Sequence, residues 1–319
     1  MTHINTDVPE ISVVIPVYNE QDGLHDLFQR LLSSMDSLNR SYEIILTNDG
    51  SIDRSFEYLA AFQRQHADKV RIIDFLGNFG QHMAIIAGFE HSRGSIIVTL
   101  DADLQNPPEE IGRLISEFDK GFDYVGSYRA NRQDTCFRKY VSRIINWIRE
   151  KLTNIKMRDQ GCMLRVYGRN IVDKIIESKE SSTFIPALAY HFSQKPTEIQ
   201  VQHNERAYGE SKYSLYMLAR LNFDLITGFS LAPLQLFTLF GICISILSGL
   251  FSIYMIGRRI YFGPELEGGF TLLTIVFFLL SVLILGVGLI GEYVGRIFQA
   301  VSKRPRYVIR TILEGQKHD

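Results

Sequence analysis

Two long stretches without a single charged side chain constrain this chain more than any other feature. One runs from Leu225 to Gly257, the other from Gly268 to Gly291. About 20 apolar residues in helical form cross the hydrocarbon core of a bilayer. Buried helices of soluble domains seldom run that far with no charged face. The spacing therefore predicts a transmembrane hairpin within 232–294, its helices at about 233–257 and 269–292, with Pro233 in the first turn and Gly263 and Pro264 punctuating the connection. Of the 34 basic and 35 acidic residues, only 13 follow Asp224, so a charged front precedes an oily back. The formal net charge of −1 offers no attraction for nucleic acid.

Basic residues near the span ends set the expected orientation. The connection carries Arg258 and Arg259 against Glu265 and Glu267, whereas the segment after the second span carries Arg296, Lys303, Arg304, Arg306, Arg310 and Lys317. Both termini are expected in the cytosol, with 295–319 as a basic cytosolic tail. Met1 to Glu10 is polar and has no secretory character. Cys136, Cys162 and Cys243 make no metal spacing and suit a reducing compartment.

The front alternates strand and helix patterns. Strands are predicted at Ile11 to Val17, Tyr42 to Thr47, Val70 to Phe75 and Ser95 to Leu100, with helices at Asp22 to Leu38, Arg54 to His66 and Gln81 to His91 between them. That repetition implies an α/β domain with a parallel, doubly wound, Rossmann-like sheet, whose ligands bind beyond the carboxyl ends of the strands. The residues there are Pro16, Tyr18, Asn19 and Glu20, then Asn48, Asp49, Gly50, Ser51 and Asp53, then Asp101, Asp103 and Gln105. Asp101 and Asp103, two apart on an extended segment, point to the same side and can share a divalent cation. A hard cation with open positions is what a diphosphate leaving group needs.

These residues resemble a known family. Val14 to Glu20, Asp49-Gly50-Ser51, Leu100 to Gln105 and Gly161 to Arg165 look like a family-2 glycosyltransferase of the GT-A fold acting on polyprenyl phosphates. Gly80-Gln81-His82, Asn131 to Asp134, Ser182 to Pro186, Gly209 to Tyr213 and Gly288 to Tyr293 extend the resemblance over nearly the whole chain. It implies a GT-A domain over 1–212 and inverting transfer from a UDP-sugar to undecaprenyl phosphate at the cytosolic face of a bacterial inner membrane, in lipid A modification. The sugar it points to is 4-deoxy-4-formamido-L-arabinose, with glucose or another hexose as the alternative. It also implies that Pro16, Tyr18, Glu20, Asp49 and Asp101 frame the nucleotide, that Asp101, Asp103 and Gln105 approach Mg2+ or Mn2+ and the diphosphate, and that Asp103 and Asp159 are catalytic. Two positions depart from the pattern. Asn48 stands where an aspartate is usual and cannot supply its charge, and Gly77 stands where an arginine usually precedes the asparagine.

Charge outlines the acceptor side. Arg129, Arg132, Arg138, Lys139, Arg143, Arg149 and Lys151 are interleaved with Phe137, Val141, Ile144, Ile148 and Leu152, which predicts a basic amphipathic helix over about 136–152 in the membrane interface. A second interface helix is expected over 213–231. By the resemblance Arg129, Arg138 and Ser142 hold the lipid phosphate, with Arg206 and Lys212 as further candidates. Gly286, Gly288 and Gly291 spell a nucleotide-loop pattern inside the second span, where close helix packing is the better use and, with Gly295, hints at a homo-oligomer. His82 and His203 are expected to be structural. A dead transferase domain serving as a nucleotide-sugar sensor would need neither the acidic nor the basic cluster, and a processive synthase would need more spans than one hairpin.

Overall fold

The computed structural model describes residues 8–129, 157–159, 161–178, 184–202, 232–262, 269–301 and 305–315. These fall into two compact units: an α/β unit within 1–142, 155–213 and 304–319, and a helical unit within 143–154 and 214–303.

The α/β unit opens with β1 (Ile11–Val17), whose seven residues are all buried. A strand covered on both faces needs an unbroken apolar run, as ISVVIPV nearly is. Then follow α1 (Leu24–Ser37), β2 (Tyr42–Asn48), α2 (Ser55–Gln65), β3 (Val70–Phe75), α3 (Gln81–Glu90) and β4 (Ile96–Thr99). The predicted boundaries hold to within two residues, because the apolar spacing decides them. In α1, Leu24, Leu27, Phe28, Leu31 and Met35 recur at helical period and are buried against the sheet core of Val13, Ile15, Ile44 and Leu46. A short 3-10 turn (Pro108–Glu110) leads into α4 (Ile111–Phe118) and β5 (Tyr124–Arg129). Next come β6 (Arg165–Gly168), α5 (Arg169–Glu177), α6 (Ile185–Phe192) and β7 (Pro196–Val201).

One sheet joins them in the order β7-β5-β6-β4-β1-β2-β3, and the last strand, β8 (Ile309–Leu313), closes its far edge beside β3. Strands β3, β2, β1 and β4 are parallel, but β6 runs antiparallel to β4 and to β5, and β8 antiparallel to β3. The sheet is thus mixed, a correction to the all-parallel expectation. Helical crossovers are legible as alternating periods, whereas the direction of β6 and β8 is not written in their own 4 and 5 residues. The strand order reverses between β1 and β4, the place where open α/β sheets bind ligands.

The helical unit contains α7 (Ala232–Phe262) and α8 (Gly269–Val301), 31 and 33 residues long. Both run past their apolar stretches, since Arg258, Glu292 and Arg296 are good helix formers and only the apolar pattern ends there. Phe278–Gly295 is long and apolar enough to cross a membrane, with mean hydropathy 2.0. A Cβ on Gly286 would lie 2.4 Å from the Phe237 ring, so this glycine lets α8 approach α7; Gly288, Gly291 and Gly295 face open space.

Candidate active site

The loops after β1 and β2 are laced together by side chains. Asn19, held at φ 55°, donates its N–H to Ser51 Oγ (3.0 Å) and accepts from the Ile52 N–H at Oδ1 (2.9 Å). Glu20 N–H donates to Ser55 Oγ (3.0 Å) and Gln21 N–H to Asp53 Oδ2 (3.2 Å). Small hydroxyl and carboxyl side chains suit such loops because they satisfy neighbouring backbone donors. Pro16 lies within β1 opposite Thr47, and Tyr18, 39% exposed, stands just beyond the strand end. Pro16, Tyr18 and Glu20 thus share one rim.

Asp49 is buried at the next strand end. Its two oxygens accept the N–H groups of Phe79 (2.7 Å) and Gly80 (2.9 Å). Burial raises its carboxyl above the usual range against the pull of those two donors. Asp49 therefore grips the loop that opens α3. Gly50 makes this possible: its φ is +66°, and a Cβ there would come within 2.4 Å of the Gly77 carbonyl carbon. Gly77, which departs from the family pattern, is the residue against which Gly50 packs. Asn48, the other departure, donates Nδ2 to Asp74 Oδ1 at 2.6 Å, both side chains being buried. An aspartate at 48 would set one buried carboxylate against another, whereas an amide donates to it.

At the end of β4 the acidic pair is half-buried. Asp101 Oδ1 accepts from Gln81 Nε2 (2.6 Å) and Oδ2 from Asn106 Nδ2 (3.4 Å). Burial pushes its carboxyl up to about 7, with the Asp103 charge as the second cause and Glu20 adding to it; Gln81 and the Arg165 cation pull the other way. Asp103 Oδ1 accepts the Gln105 N–H (3.2 Å), while Leu104 between them takes φ 59°. Asp101 thus feels the charges of both Asp103 and Glu20. Carboxylate oxygens grouped in this way are the ligand type that a hard divalent cation takes. Among the described residues no three or more His, Cys, Asp or Glu side chains gather as a metal centre.

Across the sheet, at the end of β5, Arg129 forms a two-pronged ion pair with buried Asp159: Nε to Oδ2 at 2.6 Å and Nη2 to Oδ1 at 3.0 Å. The Gly161 N–H also donates to Oδ1 (3.0 Å). Paired forks of this kind orient both partners. Behind them Arg165 is completely buried, donating Nη2 to the Asp159 carbonyl (2.8 Å), Nε to the Cys162 carbonyl (2.8 Å) and Nη1 to the Tyr124 hydroxyl. It links the Asp159 side to the acidic pair through its charge on Asp101.

The structure so brings together Tyr18, Glu20, Asp49, Asp101, Asp103 and Gln105 around the strand ends, and pairs Arg129 with Asp159. Arg138, Ser142, Arg206 and Lys212, and the interface helices expected over 136–152 and 213–231, lie outside the described residues. His82 has its Nδ1 buried with no hydrogen-bond partner among the described residues; its ring packs edge-on to Phe184 at 5.5 Å, and burial lowers its pKa to about 4. Sequence reasoning assigned no role to Gln81, Asn106, Arg165 or Asp74. Gln81 and Arg165 lay inside quoted motifs, and Asp74 is an acid within an apolar strand, which is a signal; Asn106 had none.

The strand ends of this mixed α/β sheet thus carry an acidic pair after β4 and an ion-paired arginine at β5. The profile described as "Glycosyl transferase family 2" matches residues 12–176, and the chain belongs to that family of glycosyltransferases. It is 46% identical over 316 residues, 98% of this chain and 97% of the other, to the undecaprenyl-phosphate 4-deoxy-4-formamido-L-arabinose transferase of Yersinia pestis (strain Pestoides F). The protein of the same description from Yersinia pseudotuberculosis serotype O:3 (strain YPIII) matches equally, at 46% over 98% of this chain and 97% of its own length. Among solved structures, glucosyl-3-phosphoglycerate synthase from Mycobacterium tuberculosis with Mn2+, UDP and glucosyl-3-phosphoglycerate aligns over 69% of this chain and 78% of its own, at 15% identity and TM-score 0.48.

Proposed function

We propose that this glycosyltransferase moves 4-deoxy-4-formamido-L-arabinose from its UDP donor to undecaprenyl phosphate, with inversion, at the cytosolic face of the bacterial inner membrane, as a step in lipid A modification. The observation that carries the reading is that relatives so described align end to end with this chain at 46% identity. The geometry supports it. Pro16 near the end of β1, with Tyr18, Glu20 and Asp49 in the loops beyond the strands, frames the uridine side, and hydrogen bonds tie those loops together. Asp101 and Asp103, with Gln105 beside them, would hold the divalent cation, which neutralises charge growing on the UDP leaving group.

The acceptor is a phosphate monoester, and its second pKa is near 6 by analogy with phosphorylated side chains, so its oxygen is already an anion at neutral pH. It needs positioning more than deprotonation. Asp159, clamped by Arg129, is the positioning element: it fixes the guanidinium that faces the acceptor side, and Arg138, Ser142, Arg206 and Lys212 complete the phosphate contacts. Phosphate oxygen then attacks the anomeric carbon opposite UDP. The apolar runs of α7 and α8 form the membrane hairpin, the basic stretch over 136–152 and the segment 213–231 lie in the interface, and the glycine face of α8 serves self-association in a homo-oligomer.

The test is incubation of purified protein and undecaprenyl phosphate with UDP-linked 4-deoxy-4-formamido-L-arabinose, UDP-glucose and other UDP-hexoses, with the glycolipid identified by mass. The formamido-arabinosyl lipid is the expected product. A hexosyl lipid alone would move the assignment to another sugar, and no product from any donor would mean a binding protein.

A further inference from the structure

Asp74, at the end of β3, takes no part in the reaction as proposed, yet it is buried and engaged on both sides. Its Oδ1 accepts from Asn48 Nδ2 at 2.6 Å, and its Oδ2 accepts from Arg310 Nη1 at 3.3 Å. Arg310 comes from β8, the strand that follows α8 after the short segment 302–308. The strand and the two residues before it hold the end of β3, the loop after it and the end of α3. Arg310 Nη2 donates to the Leu76 carbonyl (3.3 Å), the Leu76 N–H donates to the Val308 carbonyl (2.9 Å), and Tyr307 stacks on Phe75 at 4.8 Å while its hydroxyl bonds the Glu90 carboxylate. On the inner side, Asn48 Oδ1 accepts the Ser51 N–H (3.3 Å), and Ser51 Oγ accepts the Asn19 N–H (3.0 Å).

A continuous polar path thus runs from Arg310 through Asp74 and Asn48 to Ser51 and Asn19, in the two loops that frame the donor. A buried carboxylate needs a countercharge, and removing one leaves the other partner costly to bury. With a neutral amide at 48, Arg310 is the cation in contact with Asp74 among the described residues. We infer that Arg310 is a positioning residue for the nucleotide: by neutralising Asp74 it fixes Asn48 and the 76–80 loop, and so the walls of the donor pocket. The inference rests on the UDP-donor reading above. Strand order makes it selective, because β8 borders β3 whereas Arg129 and Asp159 belong with β5 and the approach to β6, on the other side of β1.

The experiment uses the full-length protein in lipid nanodiscs. UDP binding with Mg2+ is titrated by calorimetry, and Michaelis constants for UDP-sugar and undecaprenyl phosphate are measured separately. Because the Arg310 side chain is 56% exposed, R310M should weaken UDP binding and raise the donor constant by about fivefold, not abolish them, leaving the acceptor constant within about twofold. R310K should recover part of the loss. D74N/R310M, which removes the unpaired charge, should bind UDP better than R310M alone, and it also serves if R310M does not fold. UDP binding in R310M equal to wild type, or equal rises in both Michaelis constants, overturns the inference and leaves the donor reading intact. A wild type that binds no UDP overturns the donor reading and the inference with it.

Discussion

At the scale of single residues, the site separates carboxylates that differ only in surroundings. Asp49 spends both oxygens on backbone donors, Asp159 is held by a guanidinium fork, and Asp101 and Asp103 face each other's charge. If Asp103 is a cation ligand, D103N should lose most turnover while thermal unfolding stays near wild type, because a ligand charge and not core packing is removed. Full activity of D103N, or of wild type with excess chelator, would end the metal proposal. D159N should show a deficit that is flat with pH, as expected of a positioning residue; recovery that climbs steeply once pH passes the acceptor's second pKa would make Asp159 a base. His82 carries a stability prediction. Its pKa falls from 6.5 to about 4 on burial. Below the unfolded value the unfolded chain binds the proton and the folded chain does not, so stability is present at neutral pH and is lost as pH falls from 6.5 towards 4. At pH about 5 the loss is on the order of 2 kcal/mol. H82Q should show a smaller drop in melting temperature between neutral and mildly acid buffer than wild type, and an unchanged drop would refute the assignment.

At the scale of elements, the site is made by loops that lock onto one another. The loop after β2 meets the loop before α3 through Asp49 and through the contact of Gly50 with Gly77. G50A would need a left-handed backbone with a Cβ and would drive that Cβ into the Gly77 backbone. The first cost alone is about 1–2 kcal/mol. The expected outcome is a lower melting temperature together with loss of UDP binding, measured by calorimetry; wild-type binding in G50A would show that the two loops act independently. The polar lacing also explains why Asn48 is acceptable where the family has an acid: its neighbour Asp74 already supplies a carboxylate, and an amide complements it.

At the scale of the whole molecule, the chain couples a catalytic α/β unit to a hydrophobic helical one. An α-helix rises about 1.5 Å per residue, so the 31 and 33 residues of α7 and α8 exceed the roughly 30 Å of a hydrocarbon core. Interfacial helices alone give reversible attachment, whereas a spanning helix is effectively irreversible. The protein should therefore remain in the membrane pellet after an alkaline carbonate wash, and release into the supernatant would contradict the hairpin. The segment after α8 is more than a basic tail, since 309–313 completes the sheet as β8.

What the sequence alone determined was whatever periodicity and local chemistry encode: β1 to β4, the three helices between them, the two long apolar helices, and the strand ends carrying Tyr18, Asp49 and Asp101. Apolar spacing decides those elements locally, and a parallel sheet delivers its strand ends to one edge by necessity. Tertiary structure decided the rest. The antiparallel β6 and β8 are chosen by which edge is left open, not by their own short patterns. The clamp of Arg129 on Asp159, the grip of Asp49 on Phe79 and Gly80, and the reach of Arg310 to Asp74 join residues 30 to 236 positions apart. Over such separations a charge finds its partner only when the fold closes, because pairing depends on burial and proximity that no local pattern carries.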